Sequence, residues 1–209
     1  MRGPRAPLLF VFLSPMVTTP CPLHAQRPTA NKPPADTVAG PSHEMTKAWL
    51  ESEMPALAKQ FLVEKRDQVL TYPARTIRWT YLKTAGVSDV VLDSCTLKYT
   101  STLRSEPYLD NQRQSPFLAS SSYEVPLSNV DINDVVVQEV PTFQDSRFEN
   151  PGFQVRVGAL PSRGPVFRSA NSSGVSFVHV PARDKDAAER IARAIKHAAA
   201  LCGARTSPF

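Results

Sequence analysis

The sequence contains few cysteines, few glycines and no long apolar run. Among 209 residues there are three cysteines and eight glycines, against twenty prolines. No stretch approaches the roughly 20 consecutive apolar residues that a membrane-spanning helix needs. No glycine-rich loop of the kind that cradles phosphate groups occurs either. The sequence therefore predicts neither an integral membrane span nor a nucleotide-binding loop.

Motifs of common enzymes and metal sites are also missing. There is no HExxH, no GxSxG and no pair of histidines at ligand spacing. His179 lies in an alternating segment, as packed strand histidines commonly do. Asp131 and Asp134 fall in a turn, where Asx-turn chemistry explains them, and too few oxygen ligands surround them for calcium. We predict a non-catalytic protein without cofactor or metal; a hydrolase with an unrecognised site is the least favoured alternative.

The charge of the chain gives little support to a polyanionic partner. The formal net charge is +5, and it falls to +3 if Arg2 and Arg5 are removed with the first 25 residues. Positive and negative side chains are interspersed, whereas nucleic-acid binders cluster lysine and arginine on one element. We therefore expect no nucleic-acid partner.

The N-terminal residues have the pattern of a secretory signal peptide. Arg2 and Arg5 precede a short apolar run at 7–13, and the sequence LHA ends at Ala25, where small residues suit a signal peptidase. The pattern predicts cleavage near Ala25 and a secreted or periplasmic protein, with residues 1–25 removed.

Two further features belong to this N-terminal region. A lipidated Cys21 is a minor alternative, because Pro20 directly before it is unfavourable for a lipoprotein signal. Residues 26–41 are rich in proline and polar side chains without periodicity, which predicts a flexible tether.

Residues 42–70 suggest a helical segment. Ser42 is a suitable N-cap for a first helix, and Trp49 lies on its apolar side. Pro55 interrupts this pattern and is tolerated as the first residue of a second helix, over 55–67, because its missing N–H group costs nothing there. We predict two short helices that supply a docking surface.

From residue 74 the hydrophobic period changes to two, which is typical of strands. Short segments rich in glycine, serine and asparagine, which favour turns, separate the alternating runs. The pattern predicts seven strands and then a helix over 184–201, with Gly203 as its C′ residue. The predicted strands are 75–83, 88–103, 121–127, 133–140, 152–159, 164–170 and 174–180.

Cys95 and Cys202 are the cysteines that remain after the signal peptide. Strand alternation places Cys95 with Val91, Leu97, Tyr99 and Leu103, and a helical stripe places Cys202 with Ala188, Ile191, Ile195 and Ala198. Both sulfurs then lie on faces that meet if the helix packs on the sheet. A single disulfide between them is favoured in an oxidising compartment, and the alternative is two buried free thiols.

Seven antiparallel strands and a terminal helix predict an α+β fold: a half-open barrel whose mouth the helix covers. This order resembles the pleckstrin-homology (PH) superfold over residues 74–203. The stretch FVHVPARDKDAAERIARAIKHAAALCG is also similar to the C-terminal end of bacterial exported PH-like proteins of unknown function.

The resemblance bears on ligands as well as on the fold. Lipid-binding PH domains use a lysine near the end of the first strand, where Lys83 lies, and basic residues at the start of the second. This chain has Asp89 and Asp93 there, which disfavours inositol-phosphate binding by that route. The resemblance also implies that a peptide could bind along a sheet edge.

Two functions follow as hypotheses. The first is an exported binding or scaffolding module for a protein or a cell-envelope component. The alternative is a carrier of a small apolar ligand or lipid, using the barrel interior near residues 104–118. The sequence does not specify an oligomeric state.

Overall fold

The computed structural model describes residues 40–71, 74–140, 147–149, 151–163, 167–169 and 172–206. The predicted signal peptide and most of the predicted tether lie outside these ranges. The elements described are two helices and eleven strands, with short 3-10 turns at Leu127–Asn129 and Pro161–Arg163. They are α1 (His43–Leu57), β1 (Lys59–Thr71), β2 (Ala74–Asp93), β3 (Thr96–Leu109), β4 (Gln112–Arg113), β5 (Phe117–Pro126), β6 (Val130–Glu139), β7 (Arg147–Phe148), β8 (Phe153–Ala159), β9 (Phe167–Ser169), β10 (Ser172–Val175), β11 (Phe177–Ala182) and α2 (Lys185–Leu201).

The strands form two antiparallel sheets. The larger sheet has the order β10-β9-β5-β3-β2-β1-β7, with β4 paired to β3, and the smaller sheet has the order β11-β8-β6. After β5 the chain alternates between the sheets: β6, β8 and β11 belong to the smaller sheet, while β7, β9 and β10 return to the larger one. The predicted α+β class, antiparallel pairing and C-terminal helix are confirmed. The predicted strands correspond to parts of β2, β3, β5, β6, β8, β9, β10 and β11, and within the described ranges neither sheet closes on itself.

The helical prediction for residues 42–70 is correct in its first part and wrong in its second. α1 begins after the Ser42 N-cap, runs through Pro55 and ends at Leu57. Residues 59–71 then form β1, which pairs with β2 along its whole length. The sequence of β1 is also compatible with a strand, since Leu62 and Glu64 are buried while Phe61 is exposed. Pairing with β2 therefore outweighs the local helical pattern.

The hairpin between β2 and β3 lies elsewhere than predicted. The segment 84–87, which separates the first two predicted strands, is inside β2, and the turn occurs at Ser94 and Cys95 instead. Ser94 has a positive φ of 53°, which suits a tight turn. The predicted strand 88–103 is therefore the end of one strand and the start of the next.

A bulge in β2 changes which side chains face the core. The register with β3 shifts between Ser88 and Val91, and Asp89 there has a φ of 53°. Val91 was expected inside but is 44% exposed, because the bulge turns Val90 and Leu92 inward instead. Leu103, on β3 away from the bulge, was also expected inside and is 38% exposed. Leu97 and Tyr99 are buried, as predicted.

α2 has the boundaries and the apolar stripe that the sequence predicts. Asp184 is its N-cap, and Gly203 has the left-handed φ of 75° expected after the C-cap. The predicted inner residues Ala188, Ile191, Ile195 and Ala198 are fully buried. α2 packs against the smaller sheet and α1, while α1 also packs against β2, so the core lies between the helices and the sheets.

The predicted cysteine pair is joined in the structure. The sulfur atoms of Cys95 and Cys202 lie 2.13 Å apart, and their Cα atoms are separated by 5.6 Å. Cys95 occupies the β2–β3 turn rather than a strand face, and Cys202 is the C-cap of α2. The bond therefore fastens the end of the last helix to a hairpin turn 107 residues earlier.

Two smaller observations concern the termini of the fold. The predicted tether includes Gly40 and Pro41, and the Pro41 carbonyl oxygen lies 2.7 Å from Nε2 of His197 on α2. The end of that tether is thus anchored on the domain. Neither helix in the described ranges is both long enough and apolar enough to cross a bilayer.

Candidate functional site

A groove of about 340 Å³ opens between the two sheets, and we call it the inter-sheet groove. β1, β2, β3, β5, β9 and β10 of the larger sheet contribute one wall, and β8 and β11 of the smaller sheet contribute the other. Its lining combines apolar and hydrogen-bonding side chains, including Gln60, Ala85, Ser101, Leu103, Tyr123, Gln154, Val175, Phe177, His179 and Pro181. This mixture suits a ligand that is partly polar.

β11 is an edge strand, and its free edge runs along the groove. Among the strands that the structure describes, β11 pairs with β8 alone, and the N–H group of Ala159 donates to the carbonyl of Ser176 at 2.8 Å. Hydrogen-bonded pairs alternate along an antiparallel ladder, so Val178 and Val180 point their backbone groups at β8. The backbone groups of Phe177 and His179 consequently point away from β8, toward the groove.

One further bond confirms this alternation. Arg183, four residues beyond His179, donates its N–H group to the carbonyl of Leu57 at 2.9 Å, on the side away from β8. Pro181 has no N–H group, as is common on an edge strand. In the part of the chain that the structure describes, the outward backbone groups of Phe177 and His179 have no hydrogen-bond partner.

His179 places an uncharged imidazole in the groove. Burial lowers the pKa of His179, and the nearby positive charge of Arg156 lowers it further. Its ring lies 5.3 Å from that of Phe177, centroid to centroid. At neutral pH the imidazole therefore offers one donor and one acceptor nitrogen to a ligand.

Arg156 packs against Phe177, which lines the groove, and is itself held by Asp134. Its guanidinium binds Asp134 through Nε at 2.9 Å and a terminal nitrogen at 3.0 Å, and it lies 4.5 Å from the centroid of the Phe177 ring. Hydrogen bonding to Asp134 raises the pKa of Arg156. Gly158, opposite Phe177, leaves room for this pair, since a Cβ there would lie 1.7 Å from a carboxylate oxygen of Asp134.

Gln60 joins the two sheets through a hydrogen bond between β1 and β8. Its side chain is 4% exposed, and its amide nitrogen donates to the carbonyl of Phe153 at 2.8 Å. Gly152 lets the backbone approach, because a Cβ at that position would lie 2.1 Å from the same nitrogen. A polar side chain on β1 thus sets the spacing between β1 and β8.

Two tyrosines stiffen the wall on the larger sheet. The rings of Tyr99 and Tyr123 lie 5.3 Å apart, on paired positions of β3 and β5. Burial raises the pKa of Tyr99 strongly, and its hydroxyl group has no hydrogen-bond partner among the residues described. Tyr123 itself lines the groove, so the buried ring of Tyr99 limits its movement.

A second hollow, of about 590 Å³, lies on the larger sheet beside Lys59, Arg104 and Leu118. The region 104–118, predicted as the loop at a carrier's entrance, is mostly strand: β3 ends at Leu109 and β5 begins at Phe117. Glu106 binds Arg104 at 2.7 Å and Arg113 at 3.1 Å, so this region is a braced sheet end.

The residues compared with lipid-binding PH domains do not form an anion site. Lys83 forms an ion pair with the buried Glu64. Asp93 lies 3.6 Å from Lys98, and Asp89 occupies the β2 bulge. The charge of Lys83 is therefore already compensated.

Comparisons with protein-family models, curated proteins and solved structures found no match for this chain. Its function therefore has to be argued from geometry. Sequence reasoning missed the groove because β1 was taken for a helix. Pro181, two residues after His179, was the available signal, since proline within a strand favours an edge position.

Proposed function

We propose that this protein is an exported, non-catalytic binding module that holds an extended peptide segment of a partner protein in the inter-sheet groove. The observation that carries the proposal is the free edge of β11, where Phe177 and His179 direct backbone groups into the groove. An extended segment would add to that edge as a further strand.

The edge is short, which limits what it would hold. Arg183 closes one end through its bond to Leu57, and Pro181 offers only a carbonyl. Phe177 and His179 each offer one donor and one acceptor. At about 3.4 Å per residue, such an edge suits a segment of roughly four or five residues.

Side chains around the edge would supply specificity. A bound strand directs alternate side chains to opposite sides. One set would face the apolar Leu103 and Val175, and amide or hydroxyl groups of Gln154 and Tyr123 are available to polar positions. We expect a preferred ligand that alternates apolar and polar residues.

Export and the PH-like assignment belong to the same proposal. The signal-peptide pattern over residues 1–25 and the Cys95–Cys202 bond favour a secreted or periplasmic location, where disulfides persist. A C-terminal helix packed against an antiparallel sheet also suits a PH-like scaffold.

Carriage of an apolar ligand or lipid is the competing function. Carriers enclose their cargo in a mainly apolar pocket. The inter-sheet groove is open and has Gln60, Gln154 and His179 in its lining, which makes it less suitable for such cargo.

The test begins with peptides selected on the purified protein from a random display library. Their affinities for wild type, His179→Pro and His179→Ala are then compared by calorimetry. His179→Pro removes the outward N–H group and keeps the ladder to β8, so we expect binding at least about tenfold weaker, as losing one or two hydrogen bonds implies. His179→Ala is the matched control for the side chain and should weaken binding less.

Two outcomes would contradict the proposal. One is a selected peptide that binds His179→Pro as tightly as wild type. The other is native mass spectrometry of the purified protein showing a lipid adduct that is lost on denaturation, which would favour the carrier.

A further inference from the structure

His43 lies beside the disulfide that fastens α2. One ring nitrogen of His43 and the sulfur atoms of Cys95 and Cys202 all lie within 4.8 Å of one another. The three residues come from separate elements: the first residue of α1, the β2–β3 turn and the C-cap of α2. All three are partly accessible to solvent.

We propose that, once the disulfide is reduced, these three side chains bind a thiophilic cation such as Zn²⁺. Two thiolates and one imidazole are a donor set that Zn²⁺ favours, and a fourth position would remain open to solvent. With Zn–S near 2.3 Å and Zn–N near 2.0 Å, tetrahedral ligand atoms lie roughly 3.5–4 Å apart. Once the bond is broken, the two sulfurs must move to that separation, roughly twice the length of a disulfide bond, and the Cα separation of 5.6 Å leaves room for this by rotation of the side chains.

The reaction balances with an external dithiol. The dithiol gives two electrons and two protons to the Cys95–Cys202 bond and becomes a disulfide itself. The cation then displaces the two thiol protons, and His43 contributes a neutral nitrogen lone pair. The oxidised protein lacks the thiolates, so binding depends on the redox state.

The surroundings already orient the histidine. Nε2 of His43 lies 3.0 Å from the carbonyl oxygen of Ser94, in the turn that carries Cys95. A backbone carbonyl that accepts from one ring nitrogen fixes the tautomer and leaves the lone pair on the other, as in many metal-bound histidines. The Glu44 carboxylate, 3.8 Å from Nδ1, adds negative charge next to the site.

The inference does not depend on the inter-sheet groove or on a peptide ligand.

The test uses cobalt as a spectroscopic probe for zinc. Every sample carries Cys21→Ser, so that Cys95 and Cys202 provide the only thiols. Phosphine-reduced and oxidised protein are titrated anaerobically with Co²⁺, and bound Co²⁺ is then displaced with Zn²⁺.

We expect reduced wild type to bind one Co²⁺ with a thiolate charge-transfer band, and oxidised protein to show no such band. His43→Gln should weaken binding at least about tenfold, since even outer partners of metal ligands contribute about that much. His197→Gln is the matched control, because His197 also contacts a backbone carbonyl, that of Pro41, but is not one of the three residues grouped at the disulfide. Its affinity should equal that of wild type.

Three results would overturn the inference. One is reduced protein with native near-ultraviolet circular dichroism that binds no Co²⁺, and another is His43→Gln binding as tightly as wild type. If reduction unfolds the chain, Zn²⁺ must restore the native spectrum of wild type and fail to restore that of His43→Gln. Failure to restore the wild-type spectrum is the third contradicting result.

Discussion

Glu64 on β1 and Lys83 on β2 form an ion pair in which the glutamate is 2% exposed. Arg66 approaches the same carboxylate at 3.4 Å from the other side. The pair is diagonal in the register, since Leu62 lies opposite Lys83. A carboxylate so far from water is stable only while cations compensate it, so Lys83 contributes to folding rather than to ligand binding.

The first prediction concerns this pair. Glu64→Gln should lower the free energy of unfolding by about 2–3 kcal/mol, below the usual figure for a fully buried pair because Lys83 is still 24% exposed. Urea denaturation measures the change. The double variant Glu64→Leu/Lys83→Met should recover most of the loss, and Glu44→Gln, at an exposed position, should have little effect. Equal stability of Glu64→Gln and wild type would contradict this account.

The second prediction concerns the disulfide. Replacing both Cys95 and Cys202 by serine should lower the free energy of unfolding by about 2–4 kcal/mol, because the bond closes a loop of 107 residues in the unfolded chain. Oxidised wild type, reduced wild type and the double variant are compared in denaturant. Reduced wild type and the double variant should unfold at similar denaturant concentrations. A double variant as stable as the oxidised protein would show that the bond contributes nothing.

Local signals in the sequence were sufficient for α2 and for the alternation of β8. The stripe through Ile191 and Ile195 and the glycine after Cys202 each depend on neighbours within one or two helical turns. The alternation of Val155 and Val157 in β8 was equally direct, and both are buried.

Predictions failed where distant contacts decide the structure. Residues 59–67 carry both a helical and an alternating pattern, and pairing with β2 selects the strand. The β2 bulge depends on the positive φ of Asp89, which no short pattern announces. The inter-sheet groove needs β1 and β11 to approach each other, so its geometry could not be read from either segment alone.

The third prediction concerns pH and His179. Its pKa in the folded protein is below the value of about 6.5 expected for the unfolded chain, because of burial and Arg156. As pH falls below about 6.5 the unfolded chain takes up the proton first, so the stability of the protein decreases, until the pH passes the lower folded pKa. His179→Gln should lack this part of the pH dependence.

Nuclear magnetic resonance of the imidazole provides the direct measurement. Its titration midpoint should lie below about 6.5, and denaturation at several pH values should show the stability of wild type falling relative to that of His179→Gln as the pH becomes more acid. A midpoint at or above 6.5 would mean that His179 is solvated, and the uncharged imidazole assigned to the groove would be wrong.

The fourth prediction concerns the start of α2. An Asp184 carboxylate oxygen accepts a hydrogen bond from the N–H group of Ala187 at 2.7 Å, and this bond lowers the pKa of Asp184, with a smaller contribution from Arg183. Asp184→Ala should lower the free energy of unfolding by about 1 kcal/mol, the usual loss for an N-cap. Asp184→Asn keeps an acceptor oxygen and should lose less.

The stabilisation by Asp184 also depends on pH. Because the pKa of Asp184 is depressed in the folded protein, the part of the stability that comes from its charge is present above about pH 4 and disappears as pH falls through the folded pKa. Wild type and Asp184→Asn should therefore become equally stable in acid. Asp186→Asn, in the same helical turn but not at the cap, is the matched control. A loss from Asp186→Asn as large as that from Asp184→Ala would mean that general charge at the helix terminus, rather than the cap bond, stabilises α2.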